Sequence, residues 1–217
     1  MFYIVATPIG NLGDISLRAL EVLKGVEMIA CEDTRHTSIL LNHYGIRTPT
    51  TSFFQHNRIT KAGYLLSLLK EGKDVALVSD AGMPGLLDPG YNIINLAVKN
   101  NIAITVIPGA TALINALVLS GKPAHRFIFE GFLPPRQGAR LNRLKELLKV
   151  KYTVVLYESC HRILATLGDI QTLKPDKEIV VVRELTKKFE EIERGKPANI
   201  LKELKKQKPR GEFVVVI

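Results

Sequence analysis

Acidic residues set beside basic ones, each group just after an apolar run, are the first candidates for chemistry. Cys31-Glu32-Asp33-Thr34-Arg35-His36 places four ionisable groups in succession. There is no HExxH pattern and no second histidine at ligand spacing, and Arg35 would repel a cation, so no metal centre is expected. Two readings stand: Glu32 or Asp33 pairs with Arg35 to fix a local edge, or the segment faces a substrate. Tyr157-Glu158-Ser159-Cys160-His161-Arg162 is similar, with Glu158 suited to general-base work or to an ion pair with Arg162. Arg183-Glu184-Leu185-Thr186-Lys187-Lys188 offers Lys187 and Lys188 as phosphate contacts. His43, His56 and His125 belong to no constellation and are expected to be structural or on the surface.

Three stretches rich in glycine and proline lie between these groups. In Ala6-Thr7-Pro8-Ile9-Gly10-Asn11-Leu12-Gly13-Asp14 the glycines would let backbone approach a ligand, and the helix that follows offers free N–H groups. The stretch is neither a Walker loop nor GxGxxG, and a plain strand-to-helix turn capped by Asp14 accounts for it equally well. Residues 79–90 open with Ser79-Asp80-Ala81-Gly82-Met83 and carry a second aspartate, Asp88. A loop that rigid after a buried strand shapes a surface. Asp80 is expected to orient a cation or ribose hydroxyls, and Asp88 to cap the helix that starts near Pro89. In Ile107-Pro108-Gly109-Ala110-Thr111, exposed peptide groups could read an adenine edge, with Thr111 as an N-cap.

The elements that must position these groups alternate regularly. Apolar, β-branched runs at 2–6, 26–30, 75–78 and 104–107 read as strands, with a short extended piece at 51–54. Helical patterns fall at 15–24 (Leu17, Leu20, Val22 and Leu23 inward), 37–44, 61–70, 91–99 and 111–119. Such alternation predicts a parallel sheet covered on both faces, with ligands beyond the carboxyl ends of its strands. After a break near residue 120, strands are expected at 126–130, 152–157, 178–183 and 212–217, with an extended segment at 189–193. Helices are expected at 138–150, 161–167 and 197–206. The prediction is therefore two α/β domains: a parallel one over 1–119 and a mixed-sheet one over 120–217.

Composition narrows the function classes. The chain has 217 residues, 46% of them hydrophobic, which excludes a disordered protein. No uncharged run is apolar enough to span a membrane, and the start lacks the basic lead of a signal peptide. Cys31 and Cys160 stand in no metal or redox spacing, which suggests a reducing cytoplasm. The net charge of +9 is uneven: residues 1–120 hold 9 Lys+Arg against 9 Asp+Glu, and residues 121–217 hold 21 against 12. A polyanionic partner met by the second half fits that asymmetry, as does a solvated lysine-rich surface.

Taken in order, Thr7-Pro8-Ile9-Gly10-Asn11-Leu12, Glu32 to His36, Ser79 to Gly82, Asp88-Pro89-Gly90, Pro108-Gly109, Glu130-Gly131-Phe132-Leu133-Pro134, Tyr157-Glu158-Ser159 and Arg183 to Lys187 resemble the ribosomal RNA small subunit methyltransferase I family. That family is the RNA branch of the tetrapyrrole methylase superfamily. The resemblance implies a class III methyltransferase fold with S-adenosyl-L-methionine bound between two α/β domains, usually in a homodimer. It implies 2′-O-methylation of a cytidine in the decoding region of 16S rRNA. It places the cofactor on Ser79, Asp80, Ala81, Gly82, Met83, Pro108, Gly109, Ala110, Thr111 and Tyr157. Substrate would meet Pro8, Gly10, Asn11, Arg35, Arg136, Arg140, Arg162 and Lys187, with Arg143 and Lys188 also toward RNA. Glu158, Asp33 and Asp80 are the candidate bases, Glu158 first. Two departures accompany the match. Position 83 is Met where the family usually has Thr, and the small helical C-terminal module is expected to be absent. A tetrapyrrole C-methyltransferase and a non-catalytic RNA-binding protein remain the alternatives.

Overall fold

The computed structural model describes residues 1–54 and 58–217, with backbone alone for 58–60; His56 lies outside the described residues. Two units, Met1–Thr111 and Ala112–Ile217, account for the chain.

In the first unit the strands β1 (Phe2–Val5), β2 (Met28–Cys31), β3 (Thr50–Ser52), β4 (Val75–Leu77) and β5 (Ile104–Ile107) pair in parallel in the order β3-β2-β4-β1-β5. The helices α1 (Leu17–Gly25), α2 (Thr34–His43), α3 (Arg58–Lys70) and α4 (Gly90–Lys99) alternate with them. The inner strands β1, β2 and β4 are apolar at every position because both faces are covered, whereas the edge strand β3 is Thr-Thr-Ser. Phe2, Ile4, Val75 and Leu77 pack with Leu65, Leu69, Ile93 and Ala97 of α3 and α4. Val5, Ile29, Cys31 and Ala76 point the other way, against Ala19 and Leu23 of α1 and Leu41 of α2. Burial of each large side chain in these layers contributes roughly 1.5–3 kcal/mol.

Two local expectations are corrected. Ser16, not Asp14, caps α1, its hydroxyl accepting from the Ala19 amide at 3.1 Å. That start turns Leu17 outward, where it is 80% exposed, and leaves Ala19 and Leu23 as the buried positions of the helix. Helix α2 begins at Thr34, ahead of the expected residue 37, because Asp33 caps it through the Arg35 amide at 2.8 Å.

The second unit holds β6 (Phe127–Phe132), β7 (Thr153–Ser159), β8 (Ile179–Arg183), β9 (Glu191–Gly195) and β10 (Glu212–Val216) in the order β6-β7-β10-β8-β9. Only β6 and β7 are parallel. The helices α6 (Gln137–Leu147), α7 (Ile163–Leu173) and α8 (Pro197–Leu204) supply one face of the core through Leu144, Leu147, Ile163, Leu167, Ile170, Ile200 and Leu201. Helix α5 (Ala112–Ser120) packs on β10 and β7. The division between units thus falls one helix earlier than the expected break near residue 120.

Candidate functional site

Because every strand of the first unit is parallel, the connections that follow β1, β2, β4 and β5 leave from the same edge of the sheet. Two of them are stitched together. Thr7 and Gly82 exchange both backbone hydrogen bonds (2.9 and 3.1 Å), and the Thr7 hydroxyl donates to the Ser79 carbonyl at 3.1 Å. The Ser79 hydroxyl donates to the Gly82 carbonyl at 3.1 Å, so it shapes the loop from within. Gly82 has φ +82°, a conformation that glycine adopts at little cost. At Gly109 a Cβ would stand 2.9 Å from that of Ala6, so only glycine lets the turn after β5 approach β1 so closely.

Around this frame Ala81, Pro108 and Gly109 are exposed, while Ala110 and Thr111 are half-buried. The Met83 side chain packs against the α3–α4 core layer, leaving its backbone as the means of contact. Asn11 caps the short 3-10 turn Leu12–Asp14 through the Gly13 amide at 3.0 Å. Gly10 is exposed beside it, and Pro8 is buried.

The carboxylates at this edge divide sharply. Asp33 is bound to Arg35 through both oxygens (2.8 and 3.2 Å), and these bonds hold its carboxyl down at about 2. Asp88 accepts the amides of Gly85 and of Gly90, the first residue of α4, from one position ahead of the N-cap Pro89. Glu32 does not join Arg35. Its Oε1 accepts the Asp80 amide at 3.4 Å, while Asp80 Oδ1 accepts the Asp33 amide at 3.2 Å. Burial, then the charges of Asp88 and Asp80, push the Glu32 carboxyl above the ordinary carboxylate range. The sequence does not single out Glu32, because its neighbours Asp33 and Arg35 suggest an ion pair. Its position beside the Asp80 loop comes from the pairing of β2 with β4, which no local spacing reveals.

In the second unit several expected contacts are spent internally. Glu158 is 2% exposed, and its carboxylate accepts from the Thr166 hydroxyl at 2.6 Å and the Ser159 amide at 2.9 Å. Arg162 Nε lies 3.5 Å from it, and Arg162 Nη2 donates to the carbonyls of Leu133 and Pro134. Glu158 is therefore an interior anchor, not a base open to substrate, and Arg162 clamps the 131–135 loop instead of a phosphate. Arg140 is corrected in the same way: it is buried, with Nε 2.6 Å from Asp169.

Lys187 bridges Glu184 and Glu212, and Arg143 is held by Glu130 and Glu146. Arg136 and Lys188 stay exposed and make no ion pair among the described residues. The Tyr157 hydroxyl accepts from the Leu113 amide at 3.0 Å, in the first turn of α5, and burial pushes its pKa up. Among the described residues no group of His, Cys, Asp or Glu is arranged to hold a metal, and no helix is long and apolar enough to cross a membrane.

The comparisons with known proteins agree with this architecture. The family model for tetrapyrrole (corrin/porphyrin) methylases matches residues 1–201. Among solved structures, diphthine synthase superposes with a TM-score of 0.75 over 100% of this chain and 88% of that one, at 16% identity. The cobalt precorrin-4 methyltransferase gives 0.71 over 99% and 93%, at 19% identity. The parallel sheet with its stitched carboxyl edge, followed by a mixed sheet, is thus the α/β fold of the tetrapyrrole methylases.

Within that class the sequence is far closer to one branch. It is 47% identical over 218 residues to the ribosomal RNA small subunit methyltransferase I of Synechocystis, covering the whole of this chain and 78% of that protein. It is 47% identical over 214 residues to the protein of the same name from Thermotoga maritima, covering 99% of this chain and 96% of that one. The chain belongs to the ribosomal RNA small subunit methyltransferase I family.

Proposed function

We propose that this chain transfers a methyl group from S-adenosyl-L-methionine to the 2′-hydroxyl of a cytidine ribose in the decoding region of 16S rRNA. The observation that carries this reading is the 47% identity to namesakes of that family along the entire chain. The donor set at the carboxyl edge of the first unit fits the cofactor. Exposed backbone at Ala81, Pro108 and Gly109 suits an adenine edge, and half-buried Asp80 suits ribose hydroxyls. The neighbouring carboxylates Glu32 and Asp80 suit a cationic sulfonium. Ser79, Gly82 and Thr7 hold that loop in shape, while Met83, Ala110 and Thr111 border it. Bound there, S-adenosyl-L-methionine supplies an electrophilic methyl group whose departure removes the positive charge from sulfur.

The protein's own work is to align the ribose oxygen, exclude water and take a proton. Asp33, held at about 2 by Arg35, is too weak a base for that task. Glu32, whose basicity is raised by burial and by its acidic neighbours, is the better acceptor, with Asp80 beside it. Pro8, Gly10 and Asn11 lie on the connection that leaves the same sheet edge and would face the substrate, with Arg35 offering its exposed guanidinium. Of the second-unit residues expected to face RNA, Arg136 and Lys188 keep an unpaired cation to meet phosphate.

A homodimer is part of the same reading, supported by uncharged α5, which leaves Ile114, Val118 and Leu119 in solvent. A ribosomal substrate also places the protein in the cytoplasm. The test is methylation of small ribosomal subunits isolated from cells lacking the gene, with a ribose-methylation map of the product. One new 2′-O-methyl cytidine supports the proposal; an unchanged map refutes it. Methylation of a tetrapyrrole instead would reassign the substrate.

A further inference from the structure

Strands β8 and β9 pair as a hairpin closed by Arg183 and Glu191, so their connection runs over residues 184–190. That is longer than the roughly two to five residues of most hairpin loops. It is also strained. Of the four non-glycine residues with positive φ among the described residues, two are here, Glu184 at 50° and Thr186 at 63°. A β-branched residue in that conformation is a true outlier, and such strain persists only where the surroundings over-determine it.

The surroundings do so. The Glu184 carboxylate accepts from Lys187 Nζ at 2.9 Å and the Glu212 amide at 3.0 Å. The Lys187 ammonium also reaches Glu212 Oε2 at 2.8 Å, and the Thr186 amide donates to Glu190 Oε2 at 2.6 Å. Two backbone bonds, Lys187 to Glu184 and Glu190 to Lys187, close the turn, and Leu185 is buried beneath it. At Gly211 a Cβ would stand 2.5 Å from the Glu184 side chain, so the neighbouring strand entry leaves room for the pinned carboxylate.

Side chains of Glu184, Lys187 and Glu190 tie this turn down, whereas Lys188 and Phe189 project from it. Phe189 is 66% exposed, and Lys188 Nζ lies 5.6 Å from its ring centroid. An aromatic face held out in water by a strained, cross-linked turn, with a free ammonium beside it, is arranged for a flat anionic ligand. Strands β7 and β8 both run antiparallel to β10, so this turn lies at the same end of the sheet as the close of β7. Phe132, at the end of β6, is a second exposed aromatic there, 53% accessible and edge-on to Tyr157.

We infer that Phe189, with Lys188 beside it, is a stacking platform for an unpaired base of the RNA substrate, with Lys188 on an adjoining phosphate. The inference rests on the RNA-methyltransferase reading above and names a substrate-positioning residue for it. Unpaired bases are recognised largely by stacking on aromatic rings, and removing such a ring weakens binding without touching chemistry.

The test measures methylation of undermethylated small ribosomal subunits by the full chain, with separate titration of S-adenosyl-L-methionine. Phe189→Ala and Phe189→Leu are expected to raise KM for the subunit about tenfold and to leave kcat within about twofold. Phe189→Trp should stay close to the parent, and Lys188→Ala should weaken the salt dependence of KM by about one unit of slope. Cofactor affinity should not change in any of them. An unchanged KM in Phe189→Ala overturns the inference. So does full function in Phe189→Leu, which would indicate an apolar protein contact instead of stacking. If the parent chain methylates no subunit at all, the functional reading fails and this inference with it; normal parent activity with an indifferent Phe189 sinks the inference alone.

Discussion

Replacing Glu158 separates a structural carboxylate from a catalytic one. The side chain is 2% exposed and takes hydrogen bonds from Thr166 and Ser159, with Arg162 at 3.5 Å. Glu158→Ala would leave the fully buried Thr166 hydroxyl without an acceptor and the Arg162 Nε without its anion. Removing one partner of a buried pair costs about 3–5 kcal/mol, and the low end applies because Arg162 is partly in solvent. For a chain of this size about 3 kcal/mol corresponds to a fall in Tm of roughly 6–12 °C.

Glu158→Gln keeps the volume and one acceptor oxygen, so its loss should be about half as large. Thermal or urea denaturation measures both, and a double-mutant cycle with Thr166→Val should show a coupling of about 1 kcal/mol or more. Methylation per folded molecule should stay within about threefold of the parent in Glu158→Gln. The reasoning is refuted if Glu158→Gln keeps its Tm but loses methylation by about a hundredfold or more, the size expected for a missing general base.

Three further outcomes follow from the same geometry. Arg140→Ala should destabilise the second unit by about 3–5 kcal/mol, since it strips the cation from buried Asp169, and should leave the salt dependence of RNA binding unchanged; a lower slope would mean that Arg140 contacts phosphate after all. The acid limb of kcat/KM should track the raised carboxyl of Glu32, with rate lost as pH falls through that value and Glu32 gains its proton. Glu32→Gln should flatten the limb and slow turnover by about 10²-fold or more, and an unaltered limb would remove Glu32 as the base. Arg136→Ala should lower the slope of log K against log salt by about one, whereas Lys187→Ala, already neutralised by Glu184 and Glu212, should leave it as it was; equal effects of the two would contradict the ion pairing.

The elements were legible because burial on both faces writes a strand as an unbroken apolar run. Residues 75–78 are expected as a strand and found as β4, buried at every position, for that reason. Helix α1 turns Leu20, Val22 and Leu23 to the core as expected but not Leu17, because Ser16 rather than Asp14 sets its start and turns Leu17 to water. The boundary between units was misplaced because α5 follows β5 in the chain yet packs on β7 and β10, strands that come later. Local chemistry is legible: Asp88 accepts the amide of Gly90 at the start of α4, an interaction whose partners are close in sequence.

The charged residues were harder for the opposite reason. Arg140 meets Asp169, Arg143 meets Glu130, and Lys187 meets Glu212, each partner brought in by a different helix or strand. Each such pair removes a cation from the surface that a count of residues assigns to RNA. Of the six basic residues expected to meet substrate or RNA in this half, only Arg136 and Lys188 remain without an acidic partner among the described residues. Arg136 stands just ahead of α6 and Lys188 in the strained turn after β8. Free cations, not total cations, release counterions from a polyphosphate. The RNA contact is therefore better located by which side chains the fold leaves unpaired than by the +9 itself. By that criterion the turn carrying Lys188 and the start of α6 at Arg136 are where the expected RNA contacts keep an unpaired cation, while Arg140 and Arg143 within α6 are already engaged.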